Sequence, residues 1–116
     1  MLKKDNRIRL NKEFDRVFKT GQSFYGKFLG VKMAANDLGL VRVGIMVSTK
    51  VSKKATERNL AKRRIRSIMN GILPSLKPGR DIVIIALPPL VEQDFKTIKS
   101  FLEQAMERLR LVQPMK

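Results

Sequence analysis

The stretch Asp81-Ile82-Val83-Ile84-Ile85-Ala86 constrains the fold of this chain more than any other. It follows the turn Lys77-Pro78-Gly79-Arg80 and stops before Pro88-Pro89. An apolar run this short, rich in β-branched residues and bounded by breakers, reads as a strand covered on both faces. Such a strand needs neighbours and covering layers from the rest of the chain. Val41, Val43, Ile45 and Val47 alternate with Arg42, Gly44, Met46 and Ser48, which predicts a second, half-buried strand after the turn Asn36-Asp37-Leu38-Gly39. Phe28 to Met33 reads as a third strand, weakened by Gly30.

Helices complete the pattern. Asn11 is placed to cap a helix from about Lys12 to Thr20, with Gly21 as its stop, and Phe14, Val17 and Phe18 share one of its faces. A second helix is expected from about Ala55 to Asn70, ended by Gly71 and Pro74. A third starts near Glu92 and carries Phe95, Ile98, Leu102, Ala105, Met106 and Leu109 at helical spacing. The residues give helix, two or three strands, helix, strand, helix, and the expected class is α+β, a two-layer sandwich of helices on a small mixed four-stranded sheet, in the order α-β-β-β-α-β-α. No linker or repeat divides the chain, so residues 1–116 are expected to form one domain with a short basic N-terminal segment, 1–8.

Charge identifies the class of partner. The chain carries 25 Lys/Arg against 10 Asp/Glu, and residues 1–70 hold 18 of those cations with only 5 acids. A field this lopsided draws polyanions. Nucleic acid leads, an anionic membrane comes second, and solubility alone is the bland reading. No apolar run approaches a membrane span, and the start has no apolar segment of a secretory signal. The absence of cysteine fits a reducing cytoplasm.

Histidine is absent too, so no imidazole base, dyad or metal ligand is available. The close acid pairs, Glu13/Asp15 and Glu92/Asp94, each fall in the first turn of a predicted helix, where the dipole favours them. The chain reads as a binder without catalytic residues of its own.

The binding surface is concentrated in Ala55-Thr56-Glu57-Arg58-Asn59-Leu60-Ala61-Lys62-Arg63-Arg64-Ile65-Arg66. On a helix, Ala61, Ile65, Ile68 and Ile72 form a buried stripe. Asn59, Lys62, Arg63 and Arg66 form a ridge opposite, with small Ala55 beside it to admit a phosphate backbone. Glu57 is the only acid between residues 38 and 80, unlike the mixed signs of an ordinary solvated face. Ser48-Thr49-Lys50-Val51-Ser52-Lys53-Lys54 adds three cations and three hydroxyls just before the helix. Phe14 and Phe18 read as core from spacing alone, with a stacking platform for single-stranded bases as the sharper alternative.

Ala55-x-x-Arg58-Asn59-x-x-Lys62-Arg63-x-x-Arg66 resembles the basic motif of the protein subunit of bacterial ribonuclease P. Arg9-Leu10 to Phe14, Val17-Phe18 and Gly21-x-Ser23 are similar to that family's first helix and turn. Val43 to Lys50 is similar to its central strand and loop, and Asp81 to Ala86 to its last strand. The likeness spans roughly residues 7–110. It implies a non-catalytic protein cofactor of an endoribonuclease whose RNA, with bound Mg2+, removes the 5′ leader from precursor tRNA.

By that resemblance Ser48, Lys50, Lys53, Lys54, Ala55, Arg58, Asn59, Lys62, Arg63 and Arg66 contact the catalytic RNA. Phe14, Phe18 and Met46 line a leader cleft, with Val31 near the position of a family tyrosine. A metal site near Arg58 and Asn59, and a left-handed crossover around the basic helix, rest on the resemblance only. The implied partners are ribonuclease P RNA and precursor tRNA, with no membrane and no DNA. Leu60, Arg64 and Thr49 depart from the family pattern. A ribosomal-protein-like structural RNA binder and a stand-alone nuclease are the rival readings.

Overall fold

The computed structural model describes residues 6–8 and 11–111. Arg9, Leu10, residues 1–5 of the basic segment and residues 112–116 lie outside the described residues. The chain runs α1 (Asn11–Thr20), β1 (Gln22–Tyr25), β2 (Leu29–Ala35), β3 (Val41–Met46), α2 (Ala55–Ile72), β4 (Arg80–Ala86) and α3 (Phe95–Arg108). The strands form one sheet in the order β1-β2-β4-β3. β2 pairs antiparallel with β1 and β4, and β3 lies parallel to β4 with α2 as the crossover between them.

The apolar run is central, as its composition requires. Ile82, Ile84 and Ala86 face α2 and α3, in a core with Leu29, Val31, Val43, Ile65, Met69, Leu102 and Met106. Val83 faces the other way, into a smaller cluster with Ile8, Val17 and Ala34 beneath α1. Helices therefore cover both faces of the sheet's centre, α2 and α3 on one side and the short α1 on the other. Residues 6–8 run along the outer side of β3: Ile8 N donates to Val43 O at 3.0 Å and Asn6 Nδ2 to Val41 O at 2.7 Å. That covers an otherwise unpaired strand edge.

Several boundaries differ from the expectation. β1 escapes hydropathy because three of its four residues are exposed. α1 already includes Asn11, whose side chain lies outside the description. α2 runs through Gly71 to Ile72 before a 3-10 turn at Leu73–Ser75. A helical glycine costs about 1 kcal/mol, and the buried Ile68 and Met69 just before it offset that cost. α3 starts at Phe95, not Glu92, because Asp94 is the N-cap: its Oδ1 accepts from Thr97 N at 2.8 Å. Phe95 is consequently exposed instead of joining the buried stripe.

α1 is fastened to the sheet by a polar hub. Asp81 is fully buried and accepts from Arg42 and from Asn36 Nδ2 at 2.7 Å, and Arg16 forms an ion pair with it. Arg42 also pairs with Glu13, and Arg16 Nη1 donates to Ala35 O at 2.7 Å. The first-turn acid Glu13 thus ties α1 to the sheet. Burial works to raise the Asp81 pKa, but the hydrogen bonds from Arg42 and Asn36, with the Arg42 and Arg16 cations, outweigh it and hold the carboxyl below the usual range.

Candidate RNA-binding surfaces

The first surface is built on α2 and the loop that feeds it. Ala61, Ile65, Ile68 and Met69 turn inward, which leaves Ala55, Asn59 and Arg63 exposed and Lys62 and Arg66 half-exposed. Met69 joins the stripe expected from Ala61, Ile65 and Ile68, and Ile72 packs at its margin. Among the described residues, the ion pairs gather at Asp81 and Glu13, and the ridge cations make none. Arg64 lies at the edge of the stripe beside Leu60, Leu90 and Val91.

Buried Val47 and Val51 pin the loop from below, so Ser48, Lys50, Lys53 and Lys54 point outward. The hydroxyls shape the loop. Ser48 Oγ accepts from Lys50 N at 3.3 Å, and Ser52 Oγ accepts from Lys54 N at 3.1 Å and donates to Glu57. Arg58 Nη1 donates to Ser52 O at 2.9 Å, so Arg58 braces the loop with one of its five donors. No side chain caps the start of α2, and its N–H groups add to the positive potential there. Glu57, next to Arg58 in the chain, accepts from Ser52. No three Asp, Glu, His or Cys side chains converge among the described residues.

The second surface is the sheet face under α1. α1 covers one half of it: Val17 packs on Ala34 and Val83, and the Phe14 ring sits over Gly44, where an added Cβ would lie 2.5 Å from Phe14 Cε1. The other half is a row that crosses all four strands. Tyr25 pairs with Gly30, Gly30 with Ile85, and Ile85 with Met46. Tyr25 and Met46, at its two ends, are 50% and 39% exposed. Phe14 and Phe18 are half-buried along α1 above this strip. Each is therefore both core and rim, which spacing could not distinguish.

Val31 does not line this cleft. It is fully buried on the opposite face, opposite Ile84 and Phe24 and against the α2–α3 core. Strand alternation turns its neighbours Gly30 and Lys32 to the cleft instead. Tyr25 is the aromatic that residue patterning missed. Phe24 stacks on Phe101 of α3, with ring centroids 5.7 Å apart, so the next residue must face the cleft. The sequence signal was Phe24-Tyr25 ahead of Gly26, with Gly30 five residues on.

Known proteins share this fold. The family model described as Ribonuclease P matches residues 2–110. The ribonuclease P protein component of a Cyanothece species is 34% identical, over 97% of this chain and 98% of its own. That of Shouchella clausii is 33% identical, over 98% and 93%. Among solved structures, the Staphylococcus aureus RNase P protein superposes with a TM-score of 0.86 at 28% identity, over 93% of this chain and 98% of that one. The Thermotoga maritima RNase P protein gives 0.79 at 34% identity, over 88% and 96%.

Proposed function

The chain belongs to the ribonuclease P protein family, and on that premise we propose how its two surfaces divide the work of the holoenzyme. It is the RNA-binding subunit of an endoribonuclease that processes tRNA 5′ ends, a role that the structural-binder and stand-alone nuclease readings do not account for. The α2 ridge and the Ser48–Lys54 loop hold the catalytic RNA. The open row beneath Phe14 and Phe18 holds the single-stranded 5′ leader of precursor tRNA. The reaction's Mg2+ is assigned to the RNA, and the polypeptide contributes no catalytic group. No helix among the described residues is long and apolar enough to cross a membrane, and a cytoplasmic setting suits these partners.

One observation carries this reading: the two surfaces meet. Met46 ends the open row, Val47 turns inward, and Ser48 begins the basic loop. A strand lying along the row therefore reaches the RNA-facing surface within two residues. Two polyanions brought this close repel, and the ridge cations offset part of that repulsion. Less magnesium should then be required, and precursor should be favoured over mature tRNA.

The test is reconstitution with a bacterial ribonuclease P RNA and a precursor tRNA at low Mg2+. Protein-dependent 5′ cleavage is expected, with tighter binding of precursor than of mature tRNA. Equal binding of the two would remove the leader assignment, and cleavage by the protein alone would reassign catalysis to the polypeptide.

A further inference from the structure

The open row has two ends, and only the Met46 end adjoins the basic loop. The far end, on β1, has its own arrangement. The Tyr25 ring lies over Gly30, so closely that an added Cβ there would come 2.3 Å from Cε2. On the next row Lys32 places Nζ 5.7 Å from the Phe18 ring centroid and 5.8 Å from that of Tyr25. A cation thus stands between two aromatic rings, one on α1 and one on β1, both within cation–π range. Lys32 is half-buried, which limits the positions its ammonium can take.

Base, phosphate, base is the repeat of single-stranded RNA. Aromatic rings accept bases of any identity by stacking, and a lysine between them meets the linking phosphate. The row crosses three inter-strand spacings, roughly 14 Å at about 4.8 Å each, so the Tyr25 end lies beyond a nucleotide held at Met46 and Phe14.

We propose that Tyr25, stacked on Gly30, forms with Lys32 and Phe18 a second nucleotide subsite at the far end of the row. It holds a leader nucleotide distal to the cleavage site and makes affinity depend on leader length. This rests on the leader assignment above and adds a residue and a polarity to it. The leader enters past Met46 and leaves past Tyr25.

The experiment measures the affinity of reconstituted holoenzyme for precursor tRNAs whose leaders lengthen one nucleotide at a time. In the wild type, affinity should step up when the leader becomes long enough to reach Tyr25. Tyr25→Ala should remove that step, a loss of about five-fold or more for one stacked base, and Tyr25→Phe should restore it. Gly30→Ala should also remove it, by displacing the ring with the tyrosine still present. The ring can swing into solvent, so thermal stability should change little. If Tyr25→Ala weakens all leader lengths and mature tRNA by the same factor, the residue is only structural and the subsite is refuted. If Phe14→Ala alters leader dependence and Tyr25→Ala does not, the subsite fails while the leader cleft stands. If neither variant alters it, both readings fall.

Discussion

Arg42 on β3 grips the buried carboxylate of Asp81 on β4 with two hydrogen bonds, Nε to Oδ1 at 2.9 Å and Nη2 to Oδ2 at 2.7 Å. The same carboxylate meets Arg16 of α1, so one buried anion joins two strands to the helix that carries Phe14 and Phe18. Removing it strands cations around a buried site. Asp81→Ala should cost about 3–5 kcal/mol, as when one partner of a buried pair is deleted. Chemical denaturation measures this directly, and a change below about 1 kcal/mol would show that the hub is solvated.

Acid should act through the same group. Asp81 has a folded pKa below its ordinary carboxylate value, so between the two values the unfolded state binds more protons. Its contribution is therefore fully present above about pH 4 and is lost as pH falls through the folded value. Urea midpoints of the wild type should decline below about pH 4. Asp81→Asn should flatten that part of the profile.

The ridge makes a salt-dependent prediction. Arg63→Ala with Arg66→Ala should weaken assembly with the catalytic RNA and lower the slope of log affinity against log salt by about 2, one for each phosphate that the variant leaves unneutralised. Filter binding across a salt series reads both quantities. Assembly unchanged at moderate salt would move the RNA-binding surface away from α2.

Phe14 is expected to act on substrate choice. Phe14→Ala should reduce the preference for precursor over mature tRNA by about five-fold or more, the scale of one base–aromatic stack. Competition between the two tRNAs for the holoenzyme gives the ratio. A parallel loss for both would show that Phe14 serves the fold alone.

Val31 should behave as core. Val31→Ala deletes buried methyls between β2 and the α2–α3 layer and should cost about 1–3 kcal/mol. At temperatures where the variant is folded, its precursor preference should match the wild type. A selective loss of leader binding would return Val31 to the cleft.

Several elements were legible without coordinates because their signal is local. The run from Ile82 to Ala86 specified a strand buried on both faces. Period two specified a half-buried strand over Val41 to Val47, with Arg42, Gly44 and Met46 on one side. The stripe Ala61, Ile65, Ile68 oriented α2 and so placed its ridge. What escaped depended on partners distant in sequence. β1 has little hydropathy signal, because its stability comes from pairing with β2 and from Phe24 against Phe101. Val31 was placed in the cleft and Lys32 went unnoticed because one step along a strand reverses the face.

By itself, then, the sequence determined a polyanion-seeking α+β chain. It did so through a basic helix with one apolar side, one central strand, and the lack of histidine and cysteine, all properties of residue type and spacing. Only the tertiary structure decided what the open face contains. Whether an aromatic is core, rim or platform depends on what lies across from it. Tyr25 became a cleft residue because Gly30, on the neighbouring strand, leaves room for its ring.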